Sequence, residues 1–223
     1  MAHSRPNAAA ITGHDHRLTR LIIVGLLLAA AGTAGTLPFF YESTTMWYKI
    51  GLDKTLLRVG KICGLLAVTL ICAQSIIGLR PRLLEKAFGA PSLLRWHRRG
   101  AAVIVLLAVL HVLLILVPEG LKNLPIGPKF WPEMLGGGLL VILVLQTGYS
   151  WTRERWRLAY QRWRTIHRYL AWCILLLVPV HLLFVSETFS QTVPRLWVVC
   201  VLGGTLAIQL TVRLRRRLTA HRR

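Results

Sequence analysis

Six apolar stretches, each of roughly 20 residues, constrain the fold of this chain more than any other feature. They lie at 18–40, 58–79, 94–117, 131–151, 165–186 and 195–213. A helix of that length and composition crosses the hydrocarbon core of a bilayer, and 54% of the chain is hydrophobic. The sequence therefore predicts an all-α integral membrane protein, a six-helix bundle. Gly60 and Gly64 form a GxxxG motif in the second stretch, which is weak evidence for close helix packing.

The charged residues lie in blocks between these stretches. The formal net charge is +20, which could suggest a nucleic-acid partner. The sequence, however, has no basic face interleaved with aromatic residues, so we expect no nucleic-acid binding. We divide the chain into a disordered cytoplasmic N-terminus (1–17), a membrane domain (18–213) and a basic cytoplasmic tail (214–223).

Loop charge predicts the orientation in the membrane. Residues 80–99 carry six basic residues against Glu85 alone, and residues 152–168 carry six against Glu154 alone. The loops that alternate with these are balanced, and the segment 213–223 adds six arginines. Because positively charged loops stay in the cytoplasm, both termini are expected to be cytoplasmic.

Four histidines form two pairs with the same spacing. His97 and His111 are fourteen residues apart in the third stretch, and His167 and His181 are fourteen apart in the fifth. At about 100° per residue, this spacing falls about 40° short of four turns, so each pair lies on one helix face, about 21 Å apart. A single histidine in an apolar helix is more often a hydrogen-bonded core residue. Ionisable residues inside membrane helices are nevertheless rare and usually functional.

These histidines are candidate iron ligands, because neutral imidazole binds iron well. The third and fifth stretches run in the same direction, so equal depths match His97 with His167 and His111 with His181. We therefore predict two stacked haems, each held by one histidine from each helix, with irons about 20 Å apart. The cysteines form no CxxCH attachment motif, so the haems are expected to be b-type.

Basic residues beside the histidines are candidates to bind haem propionates. We call His97 with His167, expected near the cytoplasmic surface, the inner pair, and His111 with His181, expected nearer the outer surface, the outer pair. Arg98 and Arg164 flank the inner pair, and Arg58 and Lys61 begin the second stretch near the outer pair. Topology alone, or side chains reaching the membrane interface, would explain each of them equally well. We predict no catalytic side chain.

With these residues placed, the chain resembles the ferric-reductase-like transmembrane domain. That family includes ferric reductases, the membrane domain of NADPH oxidases and the haem-binding membrane subunit of the bacterial methionine-sulfoxide reductase system. Its histidine pattern on the third and fifth of six helices matches WHRRG with LH (His97, His111) and IHRYL with PVH (His167, His181). The resemblance covers 18–213. It implies two b haems that pass electrons outward, and a multi-pass protein of the bacterial inner membrane.

One departure from the family concerns the electron donor. Members that use NADPH directly carry a flavin and nicotinamide domain after the sixth helix, whereas this sequence has no GxGxxG on a strand–helix unit. We therefore expect a separate cytoplasmic flavin reductase, with FMN or FAD, or a quinol as the donor. Alternatively, this chain is the membrane part of a longer flavin-containing protein.

Three functions stay open at this point. The first is a transmembrane electron-transfer oxidoreductase whose outer acceptor is a ferric chelate, dioxygen or a partner protein. The second is a haem-binding anchor subunit that delivers electrons to a periplasmic reductase. The third is a non-redox transporter or haem exporter, which predicts a polar path, although the stretches carry few polar groups besides the histidines.

Overall fold

Six long helices make up most of the chain. The computed structural model describes residues 8–120, 124–153, 155 and 159–221, and this part contains helices and loops but no strand. All six helices are long and apolar enough to cross a membrane. They are α1 (Ala8–Phe40), α2 (Gly51–Leu79), α3 (Ala90–Glu119), α4 (Trp131–Thr152), α5 (Tyr160–Val185) and α6, which runs as Thr192–Val198, a π-helical turn Val199–Gly203 and Gly204–His221. The predicted all-α six-span fold is confirmed.

Several helices extend beyond the apolar stretches. The helix α1 begins at Ala8, so residues 8–17 are helical where we expected disorder, and residues 1–7 lie outside the described part. The helix α2 begins at Gly51 rather than at residue 58. The apolar pattern detects only the part of a helix inside the hydrocarbon, whereas backbone hydrogen bonding continues into the polar interface. Short helices Thr44–Trp47 and Arg82–Phe88 lie in the first two connections.

Helix packing leaves a space between two of the spans. The helix α2 packs along α3 and α4 packs along α5, while α1 and α6 both contact α2. The α2–α3 contact is close, because a Cβ at Gly60 would lie 3.0 Å from Leu114 Cβ. Among the described residues the main chains of α3 and α5 barely approach each other. The two helices that carry the histidines are therefore separated by more than ordinary helix packing requires.

The core lies between α1, α2, α5 and α6, while the outward surface is apolar. Leu175 and Leu37 are almost fully buried in this core. Leu26, Leu145 and Leu176 are more than half exposed, which a soluble protein would avoid over so large a surface. Lipid tails supply the missing apolar contacts, and helices satisfy their own backbone hydrogen bonds there. The chain is thus a multi-pass membrane protein.

Candidate functional site

His97 and His167 face each other across the space between α3 and α5. Their ring centroids are 6.1 Å apart and the ring planes are inclined by 73°. Metal–nitrogen bonds of about 2 Å on opposite sides of one ion place two imidazole centroids about 6 Å apart. The distance between these two rings therefore suits ligation of a single metal ion from both sides.

His111 and His181 are held by main-chain carbonyls of neighbouring helices. His111 Nδ1 lies 2.8 Å from the carbonyl oxygen of Gly60, and His181 Nδ1 lies 2.8 Å from that of Pro132. A carbonyl only accepts, so each Nδ1 carries the proton and donates it. The Nε2 lone pair is then available to a metal.

An aromatic ring stacks on the inner histidine of α5. The Trp163 ring stacks on His167 with centroids 5.3 Å apart and planes inclined by 25°. The Arg153 guanidinium lies 5.2 Å from the centroid of Trp163. Trp163 precedes His167 by four residues, so the two rings share a helix face. Sequence analysis missed this tryptophan, although that spacing could have identified it.

Apolar side chains separate the two histidine pairs. Ile104 lies midway between the histidines of α3, and Ile174 lies midway between those of α5. Their side chains are 4% and 3% exposed. Both helices therefore carry a buried apolar side chain at the depth midway between the two pairs.

The four basic candidates differ in their surroundings. Arg98 and Arg164 are exposed at the end of the bundle that holds His97 and His167, and their role in binding a cofactor stays a prediction. Arg58 instead makes an ion pair with Glu42. Its guanidinium is thus already engaged near the outer pair.

A polar cluster closes the end of the bundle nearer His111. Lys54 Nζ lies 2.8 Å from a Glu42 carboxylate oxygen, and Lys61 Nζ donates to Ser43 Oγ at 2.6 Å. The hydrogen bond from Lys54, together with Arg58, holds the pKa of Glu42 below its ordinary value. These contacts fix the connection between α1 and α2 over the outer pair.

The fold and the facing histidines define a class: multi-pass helical membrane proteins in which imidazoles from two separated spans meet inside the bundle. Residues 63–178 match the family model described as ferric reductase like transmembrane component. This match covers just over half of the chain, and the chain belongs to that family. Membership implies transmembrane electron transfer and oxidoreductase activity in general, and members usually carry haems.

The matched segment contains three of the four histidines. His97, His111 and His167 lie within it, while His181 lies three residues past its end. No curated protein and no solved structure matches the chain. The assignment of His181 therefore rests on its spacing and on its bond to Pro132.

Proposed function

We propose that this chain is the electron-conducting membrane component of an oxidoreductase and holds two b haems between α3 and α5. His97 and His167 would hold the inner haem, and His111 and His181 would hold the outer haem. The observation that carries this proposal is the distance of 6.1 Å between the His97 and His167 rings. The hydrogen bonds that free Nε2 in the outer pair support it.

The number of ligands favours haem over a bare metal ion. In the described part of the chain, no three His, Cys, Asp or Glu side chains converge. Zinc sites take three or four protein ligands, whereas haem iron needs only axial ligands because its macrocycle fills the other positions. Haem supplies one-electron oxidation and reduction of its iron.

The protein's own contribution is ligation, orientation and exclusion of water. Main-chain carbonyls orient two of the imidazoles, and buried Ile104 and Ile174 keep the space between the pairs apolar. Each haem would be held by a histidine from both helices, which would leave its iron no free site for a substrate. The arrangement supports electron transfer rather than substrate activation at iron.

Arginine distribution suggests where electrons enter. The inner pair lies at the end of the bundle with the arginine-rich loops, which we assign to the cytoplasm together with both termini. Exposed arginines there include Arg155, Arg162 and Arg168. Such a surface attracts an acidic flavoprotein or the phosphate of FMN or FAD. The donor is accordingly a cytoplasmic flavin reductase, with a membrane quinol as the other source.

The acceptor lies on the outer side. A ferric chelate or dioxygen fits a chain that completes the reaction itself, and a periplasmic partner protein fits an anchor subunit. Reduction of a soluble acceptor by the purified, prereduced chain supports the first function. A prereduced chain that stays reduced until a periplasmic protein is added is instead an anchor subunit.

Spectroscopy of the purified protein tests the haem proposal. We expect a pyridine haemochromogen assay to give two b haems per chain. The absorption and electron paramagnetic resonance spectra should be those of low-spin, six-coordinate iron. One haem per chain, or a high-spin spectrum, would contradict the bis-histidine arrangement. A protein without haem would leave the transporter function as the better explanation.

A further inference from the structure

Small residues on α2 lie opposite both histidines of α3. Gly64 and Gly78 are fourteen residues apart, the same spacing as His97 and His111. A Cβ at Gly64 would lie 2.8 Å from His111 Nδ1, and one at Gly78 would lie 3.5 Å from His97 Cε1. Because successive spans run in opposite directions, the equal spacing brings each glycine to one histidine.

The same arrangement occurs between α4 and α5. Gly136 and Ser150 are fourteen residues apart, like His167 and His181. A Cβ at Gly136 would lie 3.0 Å from His181 Nδ1, and Ser150 Oγ lies 3.4 Å from His167 Nδ1. Each histidine therefore faces a small residue on the helix that precedes its own.

The small residue exposes a carbonyl oxygen to the imidazole. A helical side chain covers the turn that precedes its own Cα, so the residue at i+4 shields the carbonyl of residue i. The carbonyl that binds His111 belongs to Gly60, four residues before Gly64. The carbonyl that binds His181 belongs to Pro132, four residues before the corresponding glycine. An alanine Cβ at either glycine would occupy the position of the imidazole.

The inner histidine of α3 lacks this hydrogen bond. His97 faces the main chain of Gln74, four residues before Gly78. Its buried Nδ1 nevertheless has no hydrogen-bond partner of normal geometry among the described residues. A contact outside normal hydrogen-bond geometry cannot hold the proton on one nitrogen.

In the inner histidine of α5, a hydroxyl lies between the ring and the carbonyl. Ser150 Oγ donates to the carbonyl oxygen of Gln146 at 2.7 Å and is 3.4 Å from His167 Nδ1. The hydroxyl proton is thus committed to the carbonyl, and the contact with the imidazole is long. The inner pair is held more weakly than the outer pair on both helices.

We propose that Gly64 and Gly136 are positioning residues that let His111 and His181 bond main-chain carbonyls, and that this makes the two haems unequal. The inference rests on the proposed haem function. A carbonyl that accepts the Nδ1 proton makes imidazole a stronger electron donor to iron. Stronger donation stabilises ferric iron, so the outer haem has a lower midpoint potential than the inner haem.

Glycine-to-alanine variants of the full chain test this role. In an optical redox titration, Gly64→Ala and Gly136→Ala should each raise the lower midpoint potential or remove that haem. The higher potential should stay unchanged. Gly137→Ala and Gly138→Ala are matched controls on α4, since a Cβ there meets nothing within 4 Å. Two variants that fold, keep both haems and retain both wild-type potentials overturn the proposal.

A further variant removes a side chain that lies beside an imidazole instead of adding one. Ser150→Gly opens the carbonyl of Gln146 to His167 and should lower the higher of the two potentials. If both alanine variants fail to fold, this result decides: a fall supports the proposal, and an unchanged inner potential overturns it. Wild-type protein without haem would refute the proposed function itself, before any variant is made. Wild-type protein with two haems and insensitive variants refutes only the positioning role.

Discussion

Replacing His97 with alanine should remove one haem and leave the other intact. His97 and His167 lie on opposite sides of one space, with centroids 6.1 Å apart, and in the proposed function both would hold the same haem. Loss of either histidine should therefore release that group. We therefore expect the haem content to fall from about two per chain to about one, with the outer potential unchanged.

Double substitutions test this pairing through the number of haems that each variant loses. His97→Ala with His167→Ala should lose no more haem than either single change, because both act on one site. His97→Ala with His111→Ala should lose both haems. Coupled sites give such non-additive effects, whereas independent sites give additive ones.

The assay is the pyridine haemochromogen content per chain, measured beside the low-spin spectrum. His14→Ala serves as a control, since His14 precedes the first membrane-crossing segment, which begins at Arg17. The pairing of His97 with His167 is refuted if the single variants His97→Ala and His111→Ala leave the same residual haem, identified by its potential. It is equally refuted if the His97 and His167 changes are additive.

Three further predictions concern topology, electron supply and pH. A reporter enzyme that is active only outside the cytoplasm should be active when fused after Gly120 or after Ser190. At the C-terminus, a reporter that is active only in the cytoplasm should be active. The opposite result at the C-terminus would reject an even number of spans. The purified chain should stay oxidised with NADPH alone and become reduced when a flavin reductase is added, at a rate that falls steeply with salt because docking is electrostatic; rapid reduction by NADPH without any flavoprotein would contradict this. Glu42→Gln should lower the melting temperature at neutral pH. Because Lys54 and Arg58 depress the folded-state pKa of Glu42, its stabilisation is present above the unfolded pKa and disappears as the pH falls through the folded pKa. A melting difference that is the same at acid and neutral pH would show that the carboxylate charge is not the cause.

The number of membrane spans, and which histidines lie at the same depth, could be predicted from the sequence. Apolar length alone identifies the six helices, since a bilayer demands roughly 20 apolar residues. Because the third and fifth spans run in the same direction with equal histidine spacings, His97 and His167 are predicted to lie at equal depth, and the structure brings their rings together. Their role as haem ligands, like that of His111 and His181, stays a prediction.

The main-chain partners of the histidines could not be predicted in the same way. A hydrogen bond to Gly60 depends on the register of α2 against α3, which apolar spacing does not specify. The GxxxG motif predicted a close contact for Gly60 and Gly64, and the contact with α3 is indeed close. The motif does not predict that an imidazole occupies the space beside the second glycine. Equal fourteen-residue spacings in adjacent helices would have been the signal to look for.

Histidines and small residues follow the same fourteen-residue spacing in the hairpin of α2 and α3 and in the hairpin of α4 and α5. Because successive spans run in opposite directions, the hairpin of α2 and α3 and the hairpin of α4 and α5 run through the bundle in the same sense. Gly64 then takes the same place in its hairpin as Gly136, and Gly78 takes the same place as Ser150. In the proposed function, each hairpin would supply one histidine to the inner site and one to the outer site. Neither site would then be complete until the two hairpins associate.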